Sequence, residues 1–331
     1  RCKETIDYLL FAKQCEPLVV RNPDAWGKND RNVVQMTALI YEGERKFAKL
    51  KSNNLKLRYT YQLIRLAHYA KKYNKALEIY DKLLPKVEFE KSIIYDWILA
   101  HRAGVLKSLG QRVEAAYLFS LVFDRSPAKR EAAFQSFSIR NEEEWQQCML
   151  LCQSDHERAT LHAMRASEAH SKPADDMRAI YKLDPKNKNL ELILAHEIKK
   201  LERDFLGTEF NRYREDNAEY HKIPRKEATA ELISLTQFVI QAAKEKKVRH
   251  PDLWRIAQGY LLYLSNDLYA ADQVFKEVSG SLKDEKLREQ LQVFRLVLKI
   301  TNYKNIDERS EEELVAIMKD NELYEKYPVF K

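Results

Sequence analysis

The sequence predicts an all-α fold. Three observations carry that expectation. Turn material is scarce, with 7 Gly and 9 Pro in 331 residues, and the Asn-Gly and Asp-Gly pairs that close two-residue hairpins are absent. Leu, Ala, Lys, Glu and Arg dominate, all good helix formers. Apolar residues recur three and four apart through most of the chain, the spacing of helices with a buried face.

Taken in order, residues 1–20 read as a helix with Ile6, Leu9, Leu10 and Phe11 apolar. Arg21 to Asp30 is a loop rich in turn residues. A helix follows over 33–49, and Ser52-Asn53-Asn54 breaks it. Leu55 to Leu84 is a helix pair. Its first helix carries Tyr59, Leu63, Leu66 and Ala67, and its second carries Tyr73, Ala76, Ile79, Tyr80 and Leu83, with Lys71 at the turn. Ser92 to Arg130 is the clearest pair. Tyr95, Leu99, Ala103 and Leu106 mark its first helix, and Gly110 closes it in the left-handed conformation that Gly takes without a Cβ clash. Ala115, Phe119 and Val122 line the second helix, over 112–123, and Pro127 stops it.

Residues 129–152 form a shorter pair, with Asn141 and Glu144 as a capping box. Asp155 to Pro185 is another, with Pro173 near the start of its second helix, where a missing N–H costs little. Asn189 to Leu206 is a strongly periodic helix. Residues 207–227 are polar and read as a linker or long loop, and 228–248 are helical again. Asp252 to Val278 restores the pair, with Trp254, Gly259 and Leu262, then Asn266 at the turn, then Ala271 and Phe275. One more helix covers 282–300. A last one over 310–318 opens on a Ser-x-x-Glu cap, and a tail follows over 321–331. The expected organisation is N-terminal helices over 1–54, a repeat array over 55–206, the linker over 207–227, and C-terminal helices and tail over 228–331.

The stretch from Ser92 to Arg130 resembles a tetratricopeptide repeat, a helix–turn–helix unit of about 34 residues. Ala103, Gly110, Ala115, Phe119 and Pro127 stand where that family has a small residue, the turn Gly, an Ala and aromatic four apart, and a closing Pro. The Ala-plus-aromatic spacing returns at Ala76 and Tyr80 and at Ala271 and Phe275. One helix pair cannot bury its apolar face alone, so stacked neighbours must supply the core. The resemblance implies an α-solenoid, a right-handed superhelix of TPR-like repeats with some degenerate, whose first helices line a concave groove.

Composition weighs against several classes. The net charge of +7, from 57 basic and 50 acidic residues, is mild for this length and is not the concentrated basicity of a nucleic-acid protein. The basic run from Lys244 to Arg249 reads as a solvated helix end. No apolar run approaches a membrane span, so the chain is expected to be soluble as given, in the cytoplasm or in a bacterial periplasm or envelope if a signal has been removed. Its first residue is Arg, and a processed or truncated piece is the expectation. Of its four cysteines, Cys2 and Cys15 share one helix roughly 20 Å apart, too far for a bridge.

Chemistry-bearing motifs are missing. No GxGxxG, P-loop, HExxH, GxSxG or EF-hand loop occurs, so neither an enzyme nor a cofactor is expected. Cys148, Cys152 and His156, with His162 beyond, make the best metal candidate. Packing accounts for them better, because Gln153-Ser154-Asp155 breaks the helix and paired CxxC spacing is lacking. The carboxylates at Asp175-Asp176 and Glu142 to Glu144 suit the positive ends of helices.

Mapped by the resemblance, the groove would receive Arg58, Gln62, Arg65, His68 and Tyr69 from one unit and Lys107 from the next. Arg158, His162 and Arg165 would come from the degenerate unit, and Tyr260 and Tyr263 from the last. Arg grips carboxylates with two parallel hydrogen bonds, so an acidic segment or chain terminus of another protein is the expected partner. Some members of that family clamp a peptide carboxylate with Lys, Arg and Asn. The Asn is not at the matching place here, so that clamp does not carry over. The bland alternative for any one of these residues is an ordinary charged helix face. The expected function is a scaffold for protein–protein interaction. The rival expectations are an RNA- or polyanion-binding solenoid, and the helical superstructure of a larger envelope protein or enzyme whose catalytic part lies outside the chain.

Overall fold

The computed structural model describes residues 2–20, 32–88, 92–168, 171, 173–207, 225–303, 305 and 307–320, with backbone alone for 317–320. The loop expected over 21–30, most of the linker over 207–227 and the tail over 321–331 lie outside the described residues. All regular structure among the described residues is helical, and no strand occurs there. The chain divides into two compact units, residues 1–164 and 165–331.

The first unit opens with α1 (Cys2–Val19) and α2 (Val33–Lys49). Then come α3 (Asn53–Tyr69), α4 (Tyr73–Leu83), α5 (Ile93–Ser108) and α6 (Arg112–Arg125). The shorter α7 (Arg130–Ser136) and α8 (Glu142–Leu151) follow, and α9 (Asp155–Ala166) carries the chain across the division. Ser52-Asn53-Asn54 does separate α2 from α3, but as a start signal: the Ser52 hydroxyl accepts from the Leu55 N–H, and α3 begins at Asn53. Helix α3 is the hub, touching α1, α2, α4 and α5 and burying a continuous run from Tyr59 to Ile64. Close approach at the hub depends on Gly43 of α2. A Cβ there would stand 2.8 Å from Phe11 Cζ and run into Leu63.

The second unit contains α10 (Pro173–Leu183), α11 (Lys188–Leu206), α12 (Arg225–Glu245), α13 (Pro251–Leu264), α14 (Leu268–Ser279), α15 (Glu285–Asn302) and α16 (Glu308–Asp320). Its centre is α13, which packs on α11, α12, α14 and α15. Trp254 is fully buried there, edge-on to Phe238 at 5.7 Å. Helix α12 starts at Arg225, so residues 225–227 are helix rather than linker. The final cap also falls elsewhere. Asp307 and Ser310 cap reciprocally, the Asp carboxylate accepting from the Ser310 N–H at 2.8 Å and the Ser hydroxyl accepting from the Asp307 N–H at 2.7 Å. Ser310 is therefore the third helical residue, and Glu313 is drawn instead to Lys299 and Tyr303.

Three helix pairs close in the same way. In α3–α4, α5–α6 and α13–α14 the left-handed residue is Lys71 (φ 57°), Gly110 (φ 82°) or Asn266 (φ 63°). Each turn has both Schellman hydrogen bonds. Lys72 N–H donates to the Ala67 carbonyl at 2.9 Å, Gln111 to Leu106 at 2.9 Å and Asp267 to Leu262 at 3.0 Å, with the shorter bond inside each. Five residues beyond each turn residue stands a buried alanine: Ala76, Ala115 or Ala271. Four further on stands Tyr80, Phe119 or Phe275. Seven residues before the turn, Ala103 and Gly259 leave room for Phe119 and Phe275, both buried. Ile64 holds that place in the first pair, and Tyr80 is accordingly half-buried. Alternate helices also pack on one another, α1 on α3, α3 on α5 and α6 on α8 in the first unit, and α10 on α12, α11 on α13 and α13 on α15 in the second. The fold is all-α, with repeat-like packing of helices against their neighbours.

Candidate functional site

The expected groove residues of α3 share a stripe because they lie three and four apart. Arg58 begins it, its Nε donating to Asn54 Oδ1 at 2.9 Å. Arg65 comes two turns later, within about 6 Å of the ring centres of Tyr61 and Tyr69, the residues four before and four after it. Both rings present a negative face to the guanidinium. Among the described residues Arg65 makes no direct ion pair with a carboxylate, although its charge, after the hydrogen bond and charge of Lys13, helps to lower the pKa of Glu16. Gln62 is buried, and its Oε1 lacks a hydrogen-bond partner among the described residues.

His68 and Tyr69 stack at 5.6 Å, and both meet His101 of α5. The Nδ1 atoms of His68 and His101 are 3.1 Å apart, so one ring donates and the other accepts. Gly104, three residues beyond His101, permits this approach, because a Cβ there would stand 2.6 Å from the His68 ring. Tyr61 also touches His101 and Trp97 at 5.7 and 5.6 Å. Lys129, in the short 3-10 turn after α6, lies 5.9 Å over Trp97. Burial holds His101 well below the ordinary histidine range, and the charges of His68, Arg65 and Lys129 act the same way. The result is a strip of buried and half-buried rings with a cation at either end, Arg65 on α3 and Lys129 beyond α6.

The remaining expected residues are engaged elsewhere. Lys107 donates to the Ser136 carbonyl at 2.8 Å. Arg158 holds Asp155 at 2.8 Å and reaches the Cys152 carbonyl, and His162 lies edge-on to Trp145. In the second unit Arg165 grips the buried Asp176 through Nε and a terminal nitrogen, the latter at 2.7 Å. Tyr260 donates to Glu202 at 2.6 Å and stacks on Phe294, and burial pushes its hydroxyl pKa far up. Tyr263 meets Thr301 at 3.3 Å. Arg65, His68 and Tyr69 are thus brought together. Tyr61, Trp97, His101, Gly104 and Lys129 join them and were not singled out from the sequence. Tyr61 was within reach, since it stands four residues before Arg65.

The cysteine and histidine candidates for a metal take structural places. Cys148 and Cys152 are buried, with thiol pKa values pushed up to about 12 and about 11. His156 Nε2 meets Asp124 at 2.9 Å. Among the described residues no three His, Cys, Asp or Glu are grouped to hold a metal ion, and no helix is long and apolar enough to cross a membrane. No family model, curated protein or solved structure matches the chain.

Proposed function

We propose that the protein is a non-enzymatic scaffold, an α-solenoid of TPR-like units in which the first helices form a concave groove that binds another protein through an acidic segment. The observation that carries this is Arg65. A guanidinium set between two tyrosine faces, with no direct ion pair among the described residues, is preorganised to receive a carboxylate from outside. The recurring Schellman turn and the packing of alternate helices favour the solenoid. The raised thiol pKa values of Cys15, Cys148 and Cys152 are the reverse of an activated nucleophile and speak against cysteine chemistry at these positions.

The test is a peptide array of acidic, neutral and basic sequences against the protein and the double variant Arg58→Glu with Arg65→Glu. Acidic peptides are expected to bind and the variant to lose them. Equal capture of all three classes, or an unaffected variant, would remove the proposal. The ring strip with Lys129 also suits stacked bases, which makes single-stranded RNA the second reading. Binding of a single-stranded oligonucleotide that weakens steeply with salt, without capture of acidic peptides, would select it.

A further inference from the structure

We propose that a cleft at the start of α3 is a second contact point, taking the part of a partner segment where an acidic side chain stands beside a large apolar one. This rests on the protein-binding function proposed above. The cleft, about 1070 Å³, lies between the first half of α1 and the beginning of α3. It is slightly larger than the usual ligand pocket and has room for several residues of an extended chain.

One side of the cleft is cationic. Lys51 and Arg58 line it, and neither has a carboxylate partner among the described residues. Arg58 spends its Nε on Asn54, which leaves its terminal nitrogens for a carboxylate. The acid among the lining residues, Glu4, already accepts the Lys51 backbone N–H at 3.3 Å. Glu88, held by the lining Asn53 at 3.5 Å, is a second acid at the edge, so an incoming carboxylate is received by direct contact with Lys51 and the terminal nitrogens of Arg58.

On the other side, α1 contributes the apolar Tyr8 and Leu9 beside Glu4 and Thr5. Leu9 lines the cleft and is 56% exposed, and Ile6 and Leu10 continue from it along α1 with comparable exposure. Helix α1 already uses Tyr8, Phe11, Cys15 and Val19 for the core. The outward leucines and isoleucine are a second apolar stripe on a helix that needs just one to fold. Arg58 joins the cleft to the ring strip: seven helical residues place Arg65 roughly 10 Å away, a span that three or four extended residues cover.

The experiment measures fluorescence polarisation with three labelled eight-residue probes, one of Glu and Leu, one of Glu and Ser, and one of Lys and Leu. They are titrated into the protein and into Leu9→Ser, Lys51→Glu and Arg65→Glu variants. Leu9 and Lys51 are exposed, and circular dichroism checks that the variants fold. The Glu–Leu probe should bind tightest. Leu9→Ser should weaken it at least fivefold and leave the Glu–Ser probe unchanged, whereas Lys51→Glu should weaken both acidic probes. Equal affinity for the Glu–Leu and Glu–Ser probes overturns the cleft, as does a change under twofold in both Leu9→Ser and Lys51→Glu. If Arg65→Glu alone abolishes binding, the cleft falls and the protein-binding function stands. If no acidic probe binds, both fall.

Discussion

Replacing Gly259 with Ala sets two effects of opposite sign against each other in α13. In an exposed helix interior the change stabilises by about 1 kcal/mol, because Ala loses less backbone entropy. Here the new methyl group would stand 2.6 Å from Phe275 Cδ1, closer still to Cε1 and 3.1 Å from Cζ. Phe275 is fully buried and stacks near Phe294 at 6.1 Å, so it cannot swing aside. With three atoms of a fixed ring at or inside about 3 Å, overpacking falls in the upper part of its usual range, about 2–3 kcal/mol, which outweighs the helix gain and leaves a net loss of about 1–2 kcal/mol. For a unit of this size that lowers Tm by roughly 2–8 °C. Thermal unfolding followed by circular dichroism and by the fluorescence of buried Trp254 measures it. The double variant Gly259→Ala with Phe275→Leu should recover part of the loss relative to Phe275→Leu alone, since the two sites couple through one contact. An unchanged or raised Tm in the single variant would mean that α13 and α14 are not held at this distance, and the reasoning on small residues in the first helices would fail.

Two further outcomes bear on the fold. Gly110→Val should cost about 1–2 kcal/mol by strain alone, since φ is 82° and nothing lies within 4 Å of a new Cβ; chemical denaturation with no loss would contradict the Schellman turn. Asp176→Asn should cost about 2–3 kcal/mol, below the usual figure for a broken buried ion pair because Arg165 keeps about a third of its side chain exposed and can turn to water; urea unfolding would show it, and a loss under 1 kcal/mol would deny Asp176 its structural role.

The three turns were legible because each depends on local chemistry. A left-handed residue and an alanine five places on recur whether the turn residue is Gly, Asn or Lys. Lys71 shows the limit of that legibility, for a lysine at this φ is enforced by the two hydrogen bonds around it rather than by its own preference. The last cap was misplaced because Ser310-x-x-Glu313 satisfies the box pattern whereas the reciprocal cap that forms, Asp307-x-x-Ser310, does not, and Glu313 is held by Lys299 and Tyr303 on α15 and just beyond it. The candidate site was half legible. The stripe from Arg58 to Tyr69 follows from helix periodicity on one element. His101, Trp97 and Lys129 depend on how α5 and the turn after α6 lie against α3, which a single sequence does not encode locally. Asp176 was assigned to a helix dipole, and its burial against Arg165, eleven residues earlier, needed the turn between α9 and α10.

The histidine contact gives the strip a measurable pH signature. At neutral pH one of His68 and His101 carries the proton between their Nδ1 atoms and the other accepts it. A further proton would leave two donors facing each other at 3.1 Å, beside Tyr61, Tyr69 and the charges of Arg65 and Lys129. His101 is therefore held neutral in the fold, well below the ordinary histidine range, while in the unfolded chain it titrates near about 6.5. Below that pH the unfolded chain takes up a proton that the folded chain refuses. The stability owed to neutral His101 is complete above about 6.5 and is lost as pH falls toward its folded pKa. Urea unfolding at pH 7.5, 6.5 and 5.5 should show stability falling across a range in which most carboxylates remain ionised. His101→Phe keeps a ring against Tyr61 and Tyr69 but removes the titration, so its slope with pH should be shallower than that of the parent. The imidazole C–H resonance of His101 reports the same quantity directly. A midpoint at or above 6.5, or an equal slope in His101→Phe, would mean that the ring is charged in the fold and that the strip holds a cation at His101 rather than a neutral ring.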